Sequence, residues 1–228
     1  MEGLDPIVIY KLPIGGLTFN ITLDLVIEWI VIVILAAICI IATRNLKKVP
    51  DKKQTVAEML YEFATSTVVD NMGENFKSFV PYIGTLAIYL LTLNLVGLLG
   101  LQPPTVNFST VVSFSLMTFI LIHVTGIKRL GLGHYIGGYA KPFWPMVPLN
   151  ILERAILPVS LSLRLFGNIL AATVLVDLIY QALHNFGWLA QIGIPVIFHG
   201  YFDLFDGFIQ MVIFVMLTMI NIKMVVEH

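Results

Sequence analysis

The chain has 228 residues, of which 58% are apolar and only 12% are charged, with 13 basic and 14 acidic side chains and a net charge of −1. Soluble domains carry about a quarter of their residues as charges, so half that share and a mean hydropathy of +0.91 exclude a soluble globular enzyme. The near-zero net charge gives no basic footprint for nucleic acid, and the composition is too apolar for disorder. A polytopic membrane protein remains, whose single cysteine, Cys39, can build neither a disulfide framework nor a thiolate metal site.

Residues 1–24 read as an outer N-terminal segment with Glu2, Asp5 and one base, Lys11. Residues 25–43 are the first span, an apolar run broken only by Glu28 and followed at once by Arg44, Lys47, Lys48, Lys52 and Lys53. That basic cluster stays cytoplasmic by the positive-inside rule and leaves the N-terminus outside. A signal peptide places its positive charge before the apolar core, so this segment is read as retained. Over residues 54–78, Thr55-Val-Ala-Glu58 has capping-box spacing and Val56, Met59, Leu60 and Phe63 recur at helical intervals, which predicts an amphipathic helix on the cytoplasmic surface.

Residues 79–127 form a pair of spans. Phe79–Leu101 is 23 residues without a charge, enough to cross about 30 Å of hydrocarbon. Gln102-Pro-Pro-Thr-Val-Asn107 is a turn on the outer side, and Phe108–Ile127 returns inward to Lys128-Arg129. Gly131–Pro148, with Lys141 and Trp144, reads as an interfacial loop. Residues 150–226 then form a helix hairpin, Asn150–Leu183 and Trp188–Ile222, 34 and 35 residues long, turning at Asn185 and Gly187 and ending on the cytoplasmic side. Each helix would reach about 50 Å, so both must tilt or kink, with Pro158 and Pro195 as kink sites. The expected fold is all-α, with about five transmembrane helices plus the surface helix, the last two membrane helices being long and strongly tilted.

Ionisable groups stand where they are most costly. Arg164 is the only charge in the 22 residues Ala155–Val176, and its burial in lipid costs about 2.5 to 17 kcal/mol. Arginine does not escape by losing its proton, so an anion or water must meet it. At 100° per residue, Ser160, Arg164, Gly167, Asn168 and Ala171 share one stripe, and His199, Asp203, Asp206, Gln210, Leu217 and Asn221 form a matching one on the last helix. Two polar stripes on adjacent membrane helices suggest an ion path. Asp203 and Asp206 read either as interfacial residues or as relay groups, Asp177 as a residue near the outer surface or on the path, and Glu153 as a charge pair with Arg154 or as a site. His199 reads as a structural or a proton-carrying histidine, while Asn168 and Gln210 can also serve to bond helices together. His123 and His134 are read as non-functional, and no metal or cofactor site is expected.

Pro158-Val-Ser-Leu-Ser-Leu-Arg-Leu-Phe-Gly-Asn-Ile-Leu-Ala171 closely resembles subunit a of F-type ATP synthases, the stator part of the membrane ion channel; Leu163-Arg-Leu-Phe-Gly-Asn168 is its specific core. Gln210-Met-Val-Ile-Phe-Val-Met-Leu-Thr218 resembles the last helix of that family, and the likeness runs from about Leu25 onward. The resemblance implies two tilted helices lying against a rotating ring of c subunits, with Arg164 facing the ring carboxylate and Gln210 facing Arg164. It places Asn168, Gln210, Asp203 and Glu153 at the half-channels or their mouths. Many members carry a glutamate nine residues after the arginine, where this chain has Thr173, and a histidine or glutamate seven residues before the glutamine, where it has Asp203. A carboxylate moved to the last helix could then serve the same path, and Asp206 and Asp177, each about one turn from a family position, are further candidates.

The expected function is therefore a stator subunit without covalent chemistry of its own, which passes a proton or sodium ion through two half-channels to the c-ring and couples that flow to rotation and ATP synthesis. Its implied partners are the c subunits, the peripheral-stalk b subunits, the rest of the ATP synthase and the lipid bilayer, with no nucleic acid, in a bacterial plasma membrane. The rival is a secondary transporter with Arg164 as substrate or counter-ion anchor, which would favour inverted repeats that are not found. An intramembrane enzyme lacks any HExxH, GxSxG or paired-aspartate motif.

Overall fold

The apolar run that predicts the first span becomes helix α1 (Leu23–Thr43), whose only acids are Asp24 and Glu28. The computed structural model describes residues 8–14, 17–44, 46–99, 101, 103–139, 143–183, 198 and 200–227. Ahead of α1 stands a feature that the sequence reading left out, an antiparallel hairpin of β1 (Val8–Ile14) and β2 (Leu17–Thr22), in register from Ile14 opposite Leu17 to Val8 opposite Thr22 with an irregularity between Val8 and Tyr10. Its sequence signal is Gly15-Gly16 between two short runs. Every other regular element among the described residues is helical.

Helix α2 (Lys52–Met72) starts three residues before the expected capping box. Asp51 takes the N-cap position, and Thr55, inside the helix, donates its Oγ1 hydrogen to Asp51 O (3.2 Å). Gln54 then reaches back, accepting from Lys47 N (2.9 Å) and donating to Lys47 O (3.0 Å) and to Glu58 (2.7 Å), so Glu58 is held by a neighbour one turn away and not by the Thr55 backbone. The predicted apolar face, Val56, Met59, Leu60 and Phe63, is exposed, whereas Val68 and Met72 are buried. Gly73 ends α2 at φ +101° and Gly131 ends the helix Phe108–Leu130 at φ +79°, a backbone region that side-chain-bearing residues avoid.

A tight helical turn (Glu74–Phe79) leads into α3 (Val80–Leu95), which closes through a second such turn (Val96–Leu99). Pro104–Val106 makes the connection to α4 (Phe108–Leu130), capped by Asn107, whose side chain accepts from Ser109 N (3.1 Å). Part of the expected interfacial loop is ordered as the short helix α5 (Leu132–Gly138) and a turn at Trp144–Met146. Helix α6 (Val147–Leu183) is 37 residues long and runs through Pro158, a length of about 55 Å. The last helix opens as a π-helical segment (Gly200–Asp206) and continues as α7 (Gly207–Glu227). The expected turn at Asn185 and Gly187 and the kink site Pro195 lie outside the described residues.

Among the described residues five helical stretches are long and apolar enough to cross a membrane: Leu23–Thr43, Glu74–Leu99, Phe108–Leu130, Trp144–Leu183 and Gly200–Glu227. Helices α3, α4 and α7 form the centre, where Leu90, Leu93, Ile122, Met219 and Ile222 are almost wholly enclosed. Helix α6 lies chiefly on α4, and α1 flanks α3. Two polar ties fasten α1 to the start of α4: Thr110 donates to Glu28 (2.9 Å) and Asn107 donates to Asp24 (3.2 Å).

Candidate functional site

Helix α6 has two unlike faces. Leu161, Leu165, Ile169 and Val176, spaced by fours and sevens, are buried on one side. Ser160, Arg164, Gly167, Asn168 and Ala171 are all exposed on the other, so the stripe inferred from helical spacing is a real and uncovered face. Among the described residues no carboxylate pairs with Arg164. It lines one narrow hollow with Gln210 of α7, Leu161, Leu165 and Phe214. Gln210 is buried, 5% exposed, which holds its amide at the seam between the two helices.

Polar cavities lie on either side of that seam. One, of about 330 Å³, is at the end of the bundle where α4 begins and gathers Asn94, Thr105, Thr173, Asp177 and Asp206. Thr173 donates back to Ile169 O (2.9 Å), and the carboxylates among the lining residues are Asp177, one turn further along α6, and Asp206 across from it. The other, of about 470 Å³, lies at the opposite end and is lined by His123, Asn150, Glu153, Arg154 and Asn221. Along α6 the arginine stands about 15 Å from Arg154 and about 14 Å from Thr173. Along the helix Arg164 thus stands between two cavities that carry polar lining residues.

Arg154 does not turn to Glu153. Its guanidinium lies over the rings of Tyr139 (4.3 Å) and Tyr135 (5.1 Å) and donates to the Tyr135 hydroxyl (2.9 Å). Burial, with the hydrogen bond between the two hydroxyls (3.2 Å), pushes Tyr135 up to about 12, so it remains protonated at neutral pH. Tyr135 seats against Gly126 of α4, where an added Cβ would come within 2.7 Å of the ring. This clasp, together with Asn94, Thr105 and Asn150, escaped sequence reasoning, and His123, set aside there, lines the second cavity. The aromatic i, i+4 pair Tyr135/Tyr139 was the available signal.

Of the residues singled out by sequence, Arg164 and Gln210 line one hollow, Asp177 and Asp206 share a cavity, and Glu153 lines the opposite one. Asn168 stays on the open face, one turn from Arg164, and lines neither cavity. The side chain of Asp203 and the whole of His199 lie outside the described residues. Among the described residues no group of three His, Cys, Asp or Glu side chains is placed to hold a metal ion.

The model of the family described as ATP synthase A chain matches residues 25–223. The chain belongs to that family. Proteins named ATP synthase subunit a are similar along most of its length. The one from Trichlorobacter lovleyi is 38% identical over 86% of this chain and 83% of its own. That from Moorella thermoacetica is 38% identical over 67% and 70%, and that from Staphylococcus aureus is 31% identical over the whole of both. With five membrane-length apolar helices among its described residues, this member of the ATP synthase A chain family is a multi-pass membrane protein and one component of a complex with other ATP synthase subunits. The transporter reading finds no support among these relatives.

Proposed function

We propose that the chain is the ion-translocating stator subunit of a rotary ATP synthase and that the open stripe of α6 faces the ring of c subunits. The observation that carries this reading is Arg164, exposed on a membrane helix between two polar cavities. A bare arginine facing lipid is strongly unfavourable, so that face requires a partner bearing an anion, and the ring carboxylate is one. A fixed positive charge favours the ionised form of an approaching carboxylate. Ions are therefore shed at the seam and cannot pass directly between the cavities, which act as half-channels. The field drives each charge with about 2.3 kcal/mol per 100 mV. Asp177 and Asp206 supply the carboxylates that Thr173 lacks, and Glu153 sits at the mouth of the other path. The b subunits cover further membrane faces, and the coupling ion, H⁺ or Na⁺, is chosen mainly by the ring's own site.

The test of this arrangement is a cross-link. A cysteine replacing Asn168, in a chain whose exposed Cys39 has been changed to serine, should form a disulfide with a cysteine placed beside the ring carboxylate. Failure at Asn168 together with cross-linking from the buried face at Leu161 would turn the ring-facing side around.

Orientation follows from the charges. We place residues 1–24 outside and the Lys47–Lys53 segment, the surface helix within 54–78 and the C-terminus in the cytoplasm of a bacterial cell. The spans are then 25–43, the pair 79–127 and the tilted hairpin 150–226, and the cavity holding Asp206 faces outward. Cysteines introduced singly at Gly3 and Lys52 should react with a membrane-impermeant thiol reagent on intact cells only at Gly3. Reaction at Lys52 alone would invert this topology.

A further inference from the structure

A third cavity, of about 950 Å³, lies away from α6 and α7, between α1, α3 and α4. It extends from Thr22 to Ile32 along α1 and from Asn107 to Met117 along α4, about 15 Å in each case. That is half of the roughly 30 Å of hydrocarbon in a bilayer, and both helices continue beyond it for at least as long again. The space therefore has the depth of one leaflet and is too short to seat a membrane-spanning helix of another chain. Its lining changes along that depth. Asn20, Thr22, Asn107, Ser109 and Thr110 stand at the end where α1 and α4 begin; Ile32, Leu86, Phe114 and Met117 line it further in, beside the hydroxyl-bearing Tyr82 and Thr85.

Glu28 is the one carboxylate in this lining. Its Oε1 accepts from Thr110 (2.9 Å), and among the described residues it has no other hydrogen bond and no basic partner. Thr110 belongs to the first turn of α4, and helical side chains lean toward their own N-terminus, so the carboxylate stands near the mouth of the cavity. The hydroxyls of Tyr89 and Ser109, in the same walls, also have no hydrogen bond among the described residues. A carboxylate at the edge of the membrane calls for a cation, and the two hydroxyls are donors without an acceptor. We propose that this cavity binds one phospholipid with a primary-ammonium headgroup: the ammonium meets Glu28, the phosphate accepts from Tyr89 and Ser109, and an acyl chain follows Ile32, Leu86 and Met117. The lipid fills space that protein leaves between α1 and the α3–α4 pair. This site is independent of which face of α6 meets the ring.

The experiment uses the assembled complex in phosphatidylcholine vesicles that carry a trace of phosphatidylethanolamine with a photoreactive group on its acyl chain. After illumination the label should lie on the segments around Ile32, Leu86 and Met117. Unlabelled phosphatidylethanolamine should displace it about ten-fold more effectively than added phosphatidylcholine or phosphatidylglycerol, the scale of one charge-assisted hydrogen bond that only the primary ammonium makes. Glu28→Gln keeps the shape and an acceptor for Thr110 but removes the charge, and should bring the three lipids to parity. Ser113→Trp, at an exposed position of the wall, should fill the space and remove the label from all three segments. Equal displacement by the three lipids in the wild type overturns the proposal, and that comparison decides the matter by itself where a variant does not assemble. A preference that survives Glu28→Gln, or label that survives Ser113→Trp, overturns it as well. So does a cavity whose walls take no lipid label and cross-link to another subunit instead.

Discussion

Arg164→Ala is expected to give an assembled complex that makes no ATP under an imposed gradient, a loss of roughly a hundred-fold or more on the scale seen when one preorganised charge is removed from a reacting site. The same vesicles should leak ions passively. On the proposed reading both effects follow from one group: the guanidinium keeps an approaching carboxylate ionised, and its charge blocks a direct route between the cavity lined by Asp206 and the one lined by Glu153. Since Arg164 is exposed on α6, outside the buried face of Leu161, Leu165 and Ile169, its removal should leave that face packed. A structural arginine would behave otherwise, and its loss would yield degraded, unassembled chain. Lysine should substitute poorly, because its compact ammonium loses its proton more readily when desolvated and lacks the wide planar fork. Normal coupled synthesis with alanine would falsify the separator role.

The second large effect belongs to the cavity at the start of α4. Asp177→Asn combined with Asp206→Asn removes both titratable carboxylates among its lining residues and should slow ion-driven synthesis roughly a hundred-fold, the usual scale for losing a positioned proton-transfer group. Each single change should cost less, since the remaining carboxylate lines the same space. Asp203→Asn, alone and added to Asp206→Asn, tests whether the carboxylate one turn earlier shares the work. Wild-type rates in the Asp177/Asp206 double variant, with the complex intact, would exclude both residues from the path.

The legible part of this molecule is the part governed by composition and period. A run such as 79–101 has no alternative to a membrane helix, and the 100° spacing of Ser160, Arg164, Gly167, Asn168 and Ala171 needs no tertiary knowledge to define one face. Charge at Lys128-Arg129 likewise sets the end of a span. Illegible features depend on what comes from elsewhere in the chain. Asn94 donates to the carbonyl of Gly207, 113 residues away, and nothing local announces that partner. The capping box at Thr55 met a local competitor, since Asp51 offered an earlier cap and Gln54 a return bond to Lys47. Thr173 stands where many members of the family carry a glutamate, but only packing reveals that Asp177 and Asp206 line the cavity beside it.

The two hydrogen bonds that fasten α1 to α4 join residues 82 and 83 positions apart. A chain made from its N-terminus therefore releases α1, with Asp24 and Glu28, well before Asn107 and Thr110 exist to meet them. Few side chains of α1 are buried, Ile27 and Val31 among them, so apolar packing alone gives this helix little reason to settle at one depth or one rotation. The late-arriving amide and hydroxyl supply that choice, in the way a single polar contact selects register in other helical assemblies. Asn107 does so while capping α4 through its oxygen, which links correct docking of the first helix to correct starting of the fourth. The first helix is thus made early, and the side chains that hold it are made only after the next membrane-length helix.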